Sequence, residues 1–330
     1  MSFRTIQGGA APRSGVTKLP HDRSDLLWSG GEPTPLFLDS IDRWVDAMVA
    51  DEHGGGDGPG GFVEAKITAK AAGILCGRPV AERLLERHFP ECSIQWGPVE
   101  GGAVARGDVV ATLRGVADDV LRLERILLNL LGRLSGIATN STRWAEAGRT
   151  ILVAATRKTE WGLLDKWAIH IGGGLTHRLD RSDALMLKEN DLSAMRGEGE
   201  DGPKIIKRVV SSLEFRRSMN ENAGFTVIEV RDVEQSLAAA TAWDSVQSAR
   251  GGDERLVLLL DNMGAVGADE VHRALTEAGL RRRCILEGSG GVVLESLGEW
   301  SQSGVDLVSS SALNRGIVPL DMSMLIGGGE

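Results

Sequence analysis

Residues 256–289 read LVLLLDNMGAVGADEVHRALTEAGLRRRCILEGS, two apolar runs on either side of an amphipathic stretch. The runs LVLLLD (256–261) and CILEGS (284–289) have the length and composition of buried strands, and the residues between them have helical spacing. Strands that are apolar on both faces and joined by helices are typical of parallel sheets. This segment therefore predicts a β/α/β unit.

The same alternation of strand and helix patterns extends along most of the second half of the chain. Mostly apolar strands separated by amphipathic helices predict a parallel sheet covered by helices. About six repeats favour a β/α barrel over an open doubly wound sheet. The other strand candidates are ILVAAT (151–156), DALMLK (183–188), TVIEV (226–230) and VDLVSS (305–310).

The chain before the barrel pattern is organised differently. Residues 1–33 are rich in Gly, Pro, Ser and charge and have no sustained periodicity, which predicts a flexible N-terminal extension. Residues 34–117 combine helical patterns with short alternating segments, as in a small α/β domain. The barrel domain is assigned to residues 118–311 and begins with a long helix that extends to about Gly148.

This long helix has apolar residues on two faces. Leu123, Leu127, Leu130, Leu131 and Leu134 form one stripe, and Arg125 projects from nearly the opposite face, beside Leu121, Leu128 and Gly132. A helix that is apolar on two sides is expected to be buried on two sides. Arg125 is therefore expected to face another subunit or domain, although an ordinary solvated arginine remains the alternative.

Composition excludes several classes of function. A net charge of −9 argues against a nucleic-acid partner, because such proteins present a basic face to phosphates. No apolar run approaches the roughly 20 residues of a membrane span, and the first residues have no signal-like apolar core, so a cytoplasmic location is expected. Cys76, Cys92 and Cys284 are far apart and are expected to be reduced core thiols.

Polar side chains follow nearly every predicted strand. In a β/α barrel these strand ends converge on one rim, where such enzymes place their active sites. The cations Arg157, Lys158, His177, Arg178 and Lys188 form a group suited to a multiply anionic small ligand, since arginine matches carboxylate or phosphate and lysine acts as a point charge. A buried core histidine is the alternative for His177.

The remaining strand ends carry carboxylates, hydroxyls and glycines. Glu229 and Asp261 fit a ribose and a magnesium ion that arrives with substrate phosphates, or they are ion-pair partners of the arginines. Ser289, Gly290 and Gly291 follow a strand and precede a helical pattern, so their backbone N–H groups are candidates for a phosphate cradle. Ser310 and Ser311 follow the last strand, in the other loop where barrels commonly bind phosphate.

These motifs, in this order, resemble the quinolinate phosphoribosyltransferase family over about residues 62–326. The matching segments are ERILLNLLGRLSGIAT (124–139), TRKT (156–159), GGGLTHR (172–178), LKEN (187–190), IEV (228–230), LLLDN (258–262), LEGSGG (286–291) and GVDLVSSSALNRGIVPLDMSM (304–324).

The resemblance implies an α/β fold, an incomplete β/α barrel with a smaller N-terminal α/β sandwich domain that residues 312–330 would complete. It implies transfer of a phosphoribosyl group from phosphoribosyl pyrophosphate to quinolinate with loss of CO2, giving nicotinate mononucleotide. The working unit would be a homodimer in which Arg125 reaches the partner's site. Lys158, Lys188, Glu229 and Asp261 would be catalytic, with Mg2+. Substrate would be bound by Thr156, Arg157, His177 and Arg178 together with Arg125 and the four catalytic residues, and Lys158 would hold the quinolinate carboxylates with Arg157, His177 and Arg178. The 5-phosphate would be bound by Ser289, Gly290, Gly291, Ser310 and Ser311.

The sequence also departs from this family. Asp191 stands where the family commonly has histidine, Ser311 where it has glycine, and Trp161 where proline is usual. One alternative is the related pyrophosphorylase-like protein of molybdenum transport, against which the retained Lys158 and Lys188 argue. The other is a non-catalytic barrel that binds an anion, which the full set of cations and carboxylates disfavours.

Overall fold

The computed structural model describes residues 19–52, 60–148, 150–212 and 223–327. In the first of these ranges a 3-10 helix, Ser24–Leu26, precedes a short hairpin of β1 (Trp28–Ser29) and β2 (Glu32–Pro33). The prediction of a flexible extension is wrong for residues 19–33, because Leu19, His21 and Leu27 are buried there. Residues 1–18 lie outside the described residues.

An antiparallel sheet with two helices forms the small domain. Thr34 caps its first helix, accepting a hydrogen bond from Phe37 N, and Pro35 occupies the first turn, where its missing N–H is not needed. The elements are α1 (Pro35–Asp51), β3 (Phe62–Ala69), β4 (Gly73–Ile74), α2 (Arg78–His88), β5 (Ser93–Trp96), β6 (Ala103–Val104) and β7 (Val109–Val116).

The long helix α3 (Ala117–Gly148) joins the two domains. Its predicted leucine stripe is buried, and Gly132 and Gly136 on another side lie against residues 317–320 of the same chain. A Cβ at Gly136 would lie 2.5 Å from the Val318 carbonyl oxygen, so glycine permits this close approach. Arg125 is exposed, and the neighbouring Leu121 is 44% exposed.

Six parallel strands form the second sheet, in the order β8-β13-β12-β11-β10-β9. Consecutive strands β8 and β9 are at opposite edges, so the β/α barrel is incomplete, as expected. The elements are β8 (Leu152–Ala154), α4 (Leu163–Ile171), β9 (Leu185–Leu187), α5 (Glu189–Met195), α6 (Gly202–Ser211), β10 (Thr226–Val230), α7 (Val233–Arg250), β11 (Leu256–Asp261), α8 (Gly264–Glu277), β12 (Cys284–Ser289), α9 (Leu297–Trp300) and β13 (Leu307–Ser309).

Alternation along these strands separates two cores. Val227, Val257, Leu259, Ile285 and Leu307 form one cluster inside the barrel, and the intervening residues pack under the helices. The same alternation turns Glu229, Asp261, Ser289, Glu287 and Ser309 towards the inside.

The last strand, β14 (Met322–Ile326), returns to the small domain and pairs with β3, giving the order β14-β3-β7-β5. Cys76, Cys92 and Cys284 are buried and unpaired, as expected of core thiols. In the described ranges, no helix is both long enough and apolar enough to cross a bilayer.

Candidate active site

The carboxyl ends of the six parallel strands carry the candidate residues. Arg157 and Lys158 follow β8, Lys188 follows β9, and Glu229 and Asp261 end β10 and β11. His177 and Arg178 follow Leu175, which forms an isolated parallel bridge with Ala154 of β8. Parallel strands have their carboxyl ends at one edge, so the fold places these residues around one rim.

The loop after β8 is held by a buried carboxylate. Asp165 in α4 is fully buried and accepts hydrogen bonds from the backbone N–H groups of Glu160 and Trp161 at 2.9 and 3.3 Å. It also accepts from the Arg133 guanidinium at 2.9–3.1 Å and from Asn314 at 3.1 Å. The same Asn314 amide also donates a hydrogen bond to the Lys158 carbonyl oxygen, at 3.0 Å. This network anchors the loop, and Arg157 and Lys158 remain exposed.

His177 adopts an unusual backbone conformation, with φ at 53°. Its Nδ1 accepts from Arg178 N at 2.7 Å, and its Nε2 lies 3.1 Å from Glu287 Oε1. Burial lowers the pKa of His177, and attraction to Glu287 opposes that shift only in part. Both ring nitrogens are thus engaged inside the protein, so His177 supports the neighbouring turn with a neutral ring.

Arg178 is buried but forms no ion pair with any described residue. It is 8% exposed, and in the ranges that the structure describes neither Arg178, Arg157 nor Arg181 makes an ion pair. Burial lowers the pKa of Arg178, and repulsion from Arg157 and Arg181 adds to the effect. Three neighbouring guanidinium groups that form no ion pair within those ranges make a site that an anion would stabilise.

The next strand ends carry a mixed set of charges. Lys188 Nζ lies 3.4 Å from Glu229 Oε2, and Arg231 pairs with Glu189 at 2.5 Å and lies 3.8 Å from Asp261. Asp191 accepts a hydrogen bond from Lys188 N at 2.9 Å and so closes the first turn of α5. This cap accounts physically for an acidic residue at position 191.

The two predicted phosphate loops are joined by Ser310. Its hydroxyl donates to the Val292 carbonyl at 2.9 Å and accepts from Ala312 N at 3.2 Å, so the side chain links the loops. Gly290 has a φ of 89°, and a Cβ there would lie 2.2 Å from Asn262 Oδ1, so the turn requires glycine. The helical pattern predicted after it forms a 3-10 turn, Leu294–Ser296, and the four-residue α9.

Arg125 is not part of this rim within the chain. It is exposed on α3, and no hydrogen bond or ion pair among the described residues connects it to the other candidates.

Several site residues were not identified from the sequence. Glu287 is 1% exposed inside the barrel, and Lys166 is fully enclosed, with Nζ donating to the Thr176 carbonyl at 2.5 Å. The period-two pattern could have revealed Glu287, since it lies two residues before Ser289 on the same face of the strand. Arg231 directly follows a predicted strand, which is the same signal that selected the other rim residues.

The donor chemistry of Glu229 and Asp261 fits magnesium. Magnesium prefers carboxylate oxygens and is commonly held by one or two of them together with substrate phosphates. Among the described residues, three possible metal ligands lie close together at His21, His177 and Glu287. Glu229 and Asp261 do not belong to that group. Glu229 and Asp261 end two neighbouring strands and are the residues that could hold such an ion together with substrate oxygens.

The chain matches the family models described as quinolinate phosphoribosyl transferase, N-terminal domain, over residues 58–135, and C-terminal domain, over residues 137–325. It is 33% identical over 270 residues to a probable nicotinate-nucleotide pyrophosphorylase [carboxylating] of Archaeoglobus fulgidus, covering 80% of this chain and 94% of that protein. It is 34% identical over 273 residues to the chloroplastic nicotinate-nucleotide pyrophosphorylase [carboxylating] of Arabidopsis thaliana, covering 80% and 74%.

Solved structures agree with these relatives. The crystal structure of NadC from Streptococcus pyogenes superposes with a TM-score of 0.71 at 28% identity, covering 89% of this chain and 97% of that one. A NadC deletion mutant in a cubic space group superposes with a TM-score of 0.73 at 27% identity, covering 91% and 99%. On these matches, which include both domains and the rim, the chain belongs to the quinolinate phosphoribosyl transferase family.

Proposed function

We propose that this protein transfers the phosphoribosyl group of phosphoribosyl pyrophosphate to quinolinate and releases CO2, forming nicotinate mononucleotide in NAD biosynthesis. The observation that carries the proposal is the cluster of Arg157, Arg178 and Arg181, none of which forms an ion pair within the described part of the chain. Quinolinate carries two adjacent carboxylates, which bidentate guanidinium groups match in charge and geometry.

The other rim residues suit the second substrate. Lys188, Glu229 and Asp261 would surround the ribose and pyrophosphate, and Lys158 would join Arg157 and Arg178 at the quinolinate carboxylates. Backbone N–H groups of Gly290 and Gly291, with Ser289 and Ser311, would hold the 5-phosphate. Ser310 would keep the two phosphate loops together through its bonds to Val292 and Ala312.

The chain's own residues contribute mainly position and charge. The arginine cluster would hold the quinolinate ring nitrogen against the anomeric carbon as pyrophosphate leaves. After the nitrogen–carbon bond forms, the ring is cationic and the adjacent carboxylate is lost as CO2. The positive ring nitrogen stabilises the electron pair left on the neighbouring ring carbon, and that carbon then takes up a proton from water. Such a reaction requires orientation and electrostatic stabilisation and no covalent bond to the protein. Magnesium, held by Glu229 and Asp261, would neutralise charge on the leaving pyrophosphate.

Assembly and location are part of the same proposal. A homodimer would allow Arg125 to enter the partner's site, which is supported by its exposure beside the 44% exposed Leu121 on α3. A cytoplasmic location is supported by the three buried, unpaired cysteines, since reduced thiols persist in a reducing compartment.

Incubation of the purified protein with quinolinate, phosphoribosyl pyrophosphate and Mg2+ tests the activity directly. The expected products are nicotinate mononucleotide and one equivalent of CO2, measured by chromatography and by release from carboxyl-labelled substrate. Nicotinate is the matched control, since it lacks the carboxylate beside the nitrogen and should turn over very poorly. Binding of quinolinate without any product would indicate a non-catalytic anion-binding barrel instead.

A further inference from the structure

The segment from Leu19 to Arg23 enters the barrel where its sheet is open. Leu19 packs in the interior cluster, and the His21 carbonyl accepts a hydrogen bond from Thr176 Oγ1 at 3.3 Å. Arg23 donates from its backbone N to the same hydroxyl at 2.8 Å and pairs with Asp183 at 2.7 Å. Thr176 lies on the β8 side of the opening and Asp183 precedes β9. The segment therefore spans the gap, and it precedes the residues that match the family.

His21 and His177 share the carboxylate of Glu287. His21 Nε2 lies 3.1 Å from Oε2, His177 Nε2 lies 3.1 Å from Oε1, and Ser309 Oγ donates to Oε1 at 2.5 Å. The two imidazole rings meet edge to face, with centroids 4.9 Å apart. Burial opposes ionisation of Glu287, but the hydrogen bonds that its carboxylate accepts from both imidazoles hold the pKa of Glu287 well below its usual value.

The hydrogen bonds assign the protons of both rings. A backbone N–H can only donate, so His177 Nδ1, which accepts from Arg178 N, carries a lone pair and the proton lies on Nε2. A cation held by His21, His177 and Glu287 would need the Nε2 lone pair, which this tautomer lacks. His21 Nδ1 is buried and has no partner among the described atoms. A proton on Nε2 is donated to Glu287 and leaves Nδ1 as an unsatisfied acceptor, which costs less than an unsatisfied N–H beside the missing bond to Glu287.

We propose that His21 is a positioning residue for the anion site. By donating to Glu287 it fixes the carboxylate that orients the His177 ring, and the ring in turn accepts from the backbone N–H that begins Arg178. This support maintains the positive φ of His177, a conformation that a non-glycine residue seldom adopts without it. The inference rests on the proposed function, because the anion at Arg178 is taken to be quinolinate.

The test compares His21→Leu, His21→Gln and Leu19→Ala in the full chain. Leucine removes the donor, whereas glutamine retains an amide N–H near the position of Nε2. Leu19→Ala loosens the same segment but leaves every donor to Glu287, so it is the matched structural control. Steady-state kinetics give kcat and both KM values, and thermal unfolding gives the stability of each variant.

We expect His21→Leu to raise the KM for quinolinate about tenfold or more, the scale of losing one hydrogen bond to a buried charge, with the KM for phosphoribosyl pyrophosphate within about twofold of wild type. His21→Gln should restore most of the affinity, and Leu19→Ala should lower Tm without this selective change. Equal effects of leucine and glutamine, or an equal rise of both KM values, would overturn the inference.

Two further arms keep the result decisive. If His21→Leu does not fold, His21→Asn replaces it, since its shorter amide cannot reach Glu287, and the same KM change is expected. If wild-type protein does not turn over quinolinate, the proposed function fails separately. The inference is then judged by 15N NMR of His177, which should show a single Nε2-protonated tautomer in wild type and its loss in the variant. An unchanged His177 spectrum in the variant would overturn the inference.

Discussion

Arg133 and Arg178 flank the same rim, but their surroundings are opposite. The Arg133 guanidinium contacts the buried Asp165 at 2.9 Å and Glu160 at 2.7 Å, and lies 5.0 Å from the centre of the Trp161 ring. Arg178 is less exposed than Arg133, 8% against 14%, yet it forms no ion pair with a described residue, and its neighbours Arg157 and Arg181 repel it. A cation that is paired with carboxylates, such as Arg133, stabilises the scaffold. A buried cation that forms no ion pair, such as Arg178, indicates where an anionic ligand binds.

The largest expected effect comes from removing the unpaired arginine. Arg178→Ala should reduce kcat/KM for quinolinate by roughly 100-fold to 1,000-fold, since truncating one partner of a desolvated charge pair costs about 3–4 kcal/mol. Its Tm should stay the same or rise, because repulsion from Arg157 and Arg181 is relieved.

Arg133→Ala is the matched control for that variant. It should lower Tm, because it leaves Asp165 buried with fewer donors. Unchanged quinolinate kinetics in Arg178→Ala, measured beside this control, would show that the unpaired arginine does not contact substrate.

Features with a strong local signal could be predicted from the sequence, whereas features set by contacts between distant parts of the chain could not. TVIEV, LVLLLD and CILEGS match β10, β11 and β12 residue for residue, since long apolar runs in a parallel sheet carry a strong local signal. Residues 19–33 were misjudged because their composition is polar, and the groups that bury them, such as Thr176 and Asp183, lie far along the chain. Strand ends located the rim residues, but no local pattern shows that Asp165 anchors the loop after β8.

The second prediction concerns Asp165, the buried partner of Arg133. Asp165→Asn should destabilise the protein by about 1.5–3 kcal/mol, because the partly buried Arg133 loses its buried charge partner and keeps only the exposed Glu160. The loop carrying Arg157 and Lys158 should loosen as well, so kcat should fall together with stability. Chemical denaturation and kinetics on the same preparation measure both. A variant as stable as wild type would contradict the structural role assigned to Asp165.

Arg125 is a third kind of arginine, exposed and without an ion pair among the described residues, and it tests whether an unpaired cation can serve a partner's site. Arg125→Ala and Arg157→Ala should each be nearly inactive. In a two-fold dimer that exchanges subunits, mixing them should restore at most about a quarter of wild-type activity, since about half of the dimers are hybrids with one intact site each.

The mixing experiment requires evidence that subunits exchange, for example from a mass-labelled partner. If exchange is demonstrated and activity stays at zero, Arg125 acts within its own subunit or has no part in the site.

The last prediction is a pH dependence at Lys166, which lies between Asp165 and the guanidinium groups of Arg157 and Arg178. Burial lowers the pKa of Lys166 to about 7 from 10.5, with repulsion from Arg178 and Arg157 adding to the shift and Asp183 and Asp165 opposing it. Below pH 7 the amine is protonated in both folded and unfolded chains, and folding carries the full cost of burying it. Between about pH 7 and 10.5 the unfolded chain binds more protons, so this contribution makes the protein more stable as pH rises.

Lys166→Met lacks that contribution, so its stability relative to wild type should be highest below pH 7 and should fall steadily towards pH 10. Urea denaturation of both proteins across this range measures the difference and cancels the other titrating groups. A saturating dicarboxylate should shift the decline to higher pH, because an anion on Arg178 and Arg157 favours the protonated amine. A stability difference that is independent of pH would mean that Lys166 does not lose its proton in this range, and that the cation cluster does not extend to it.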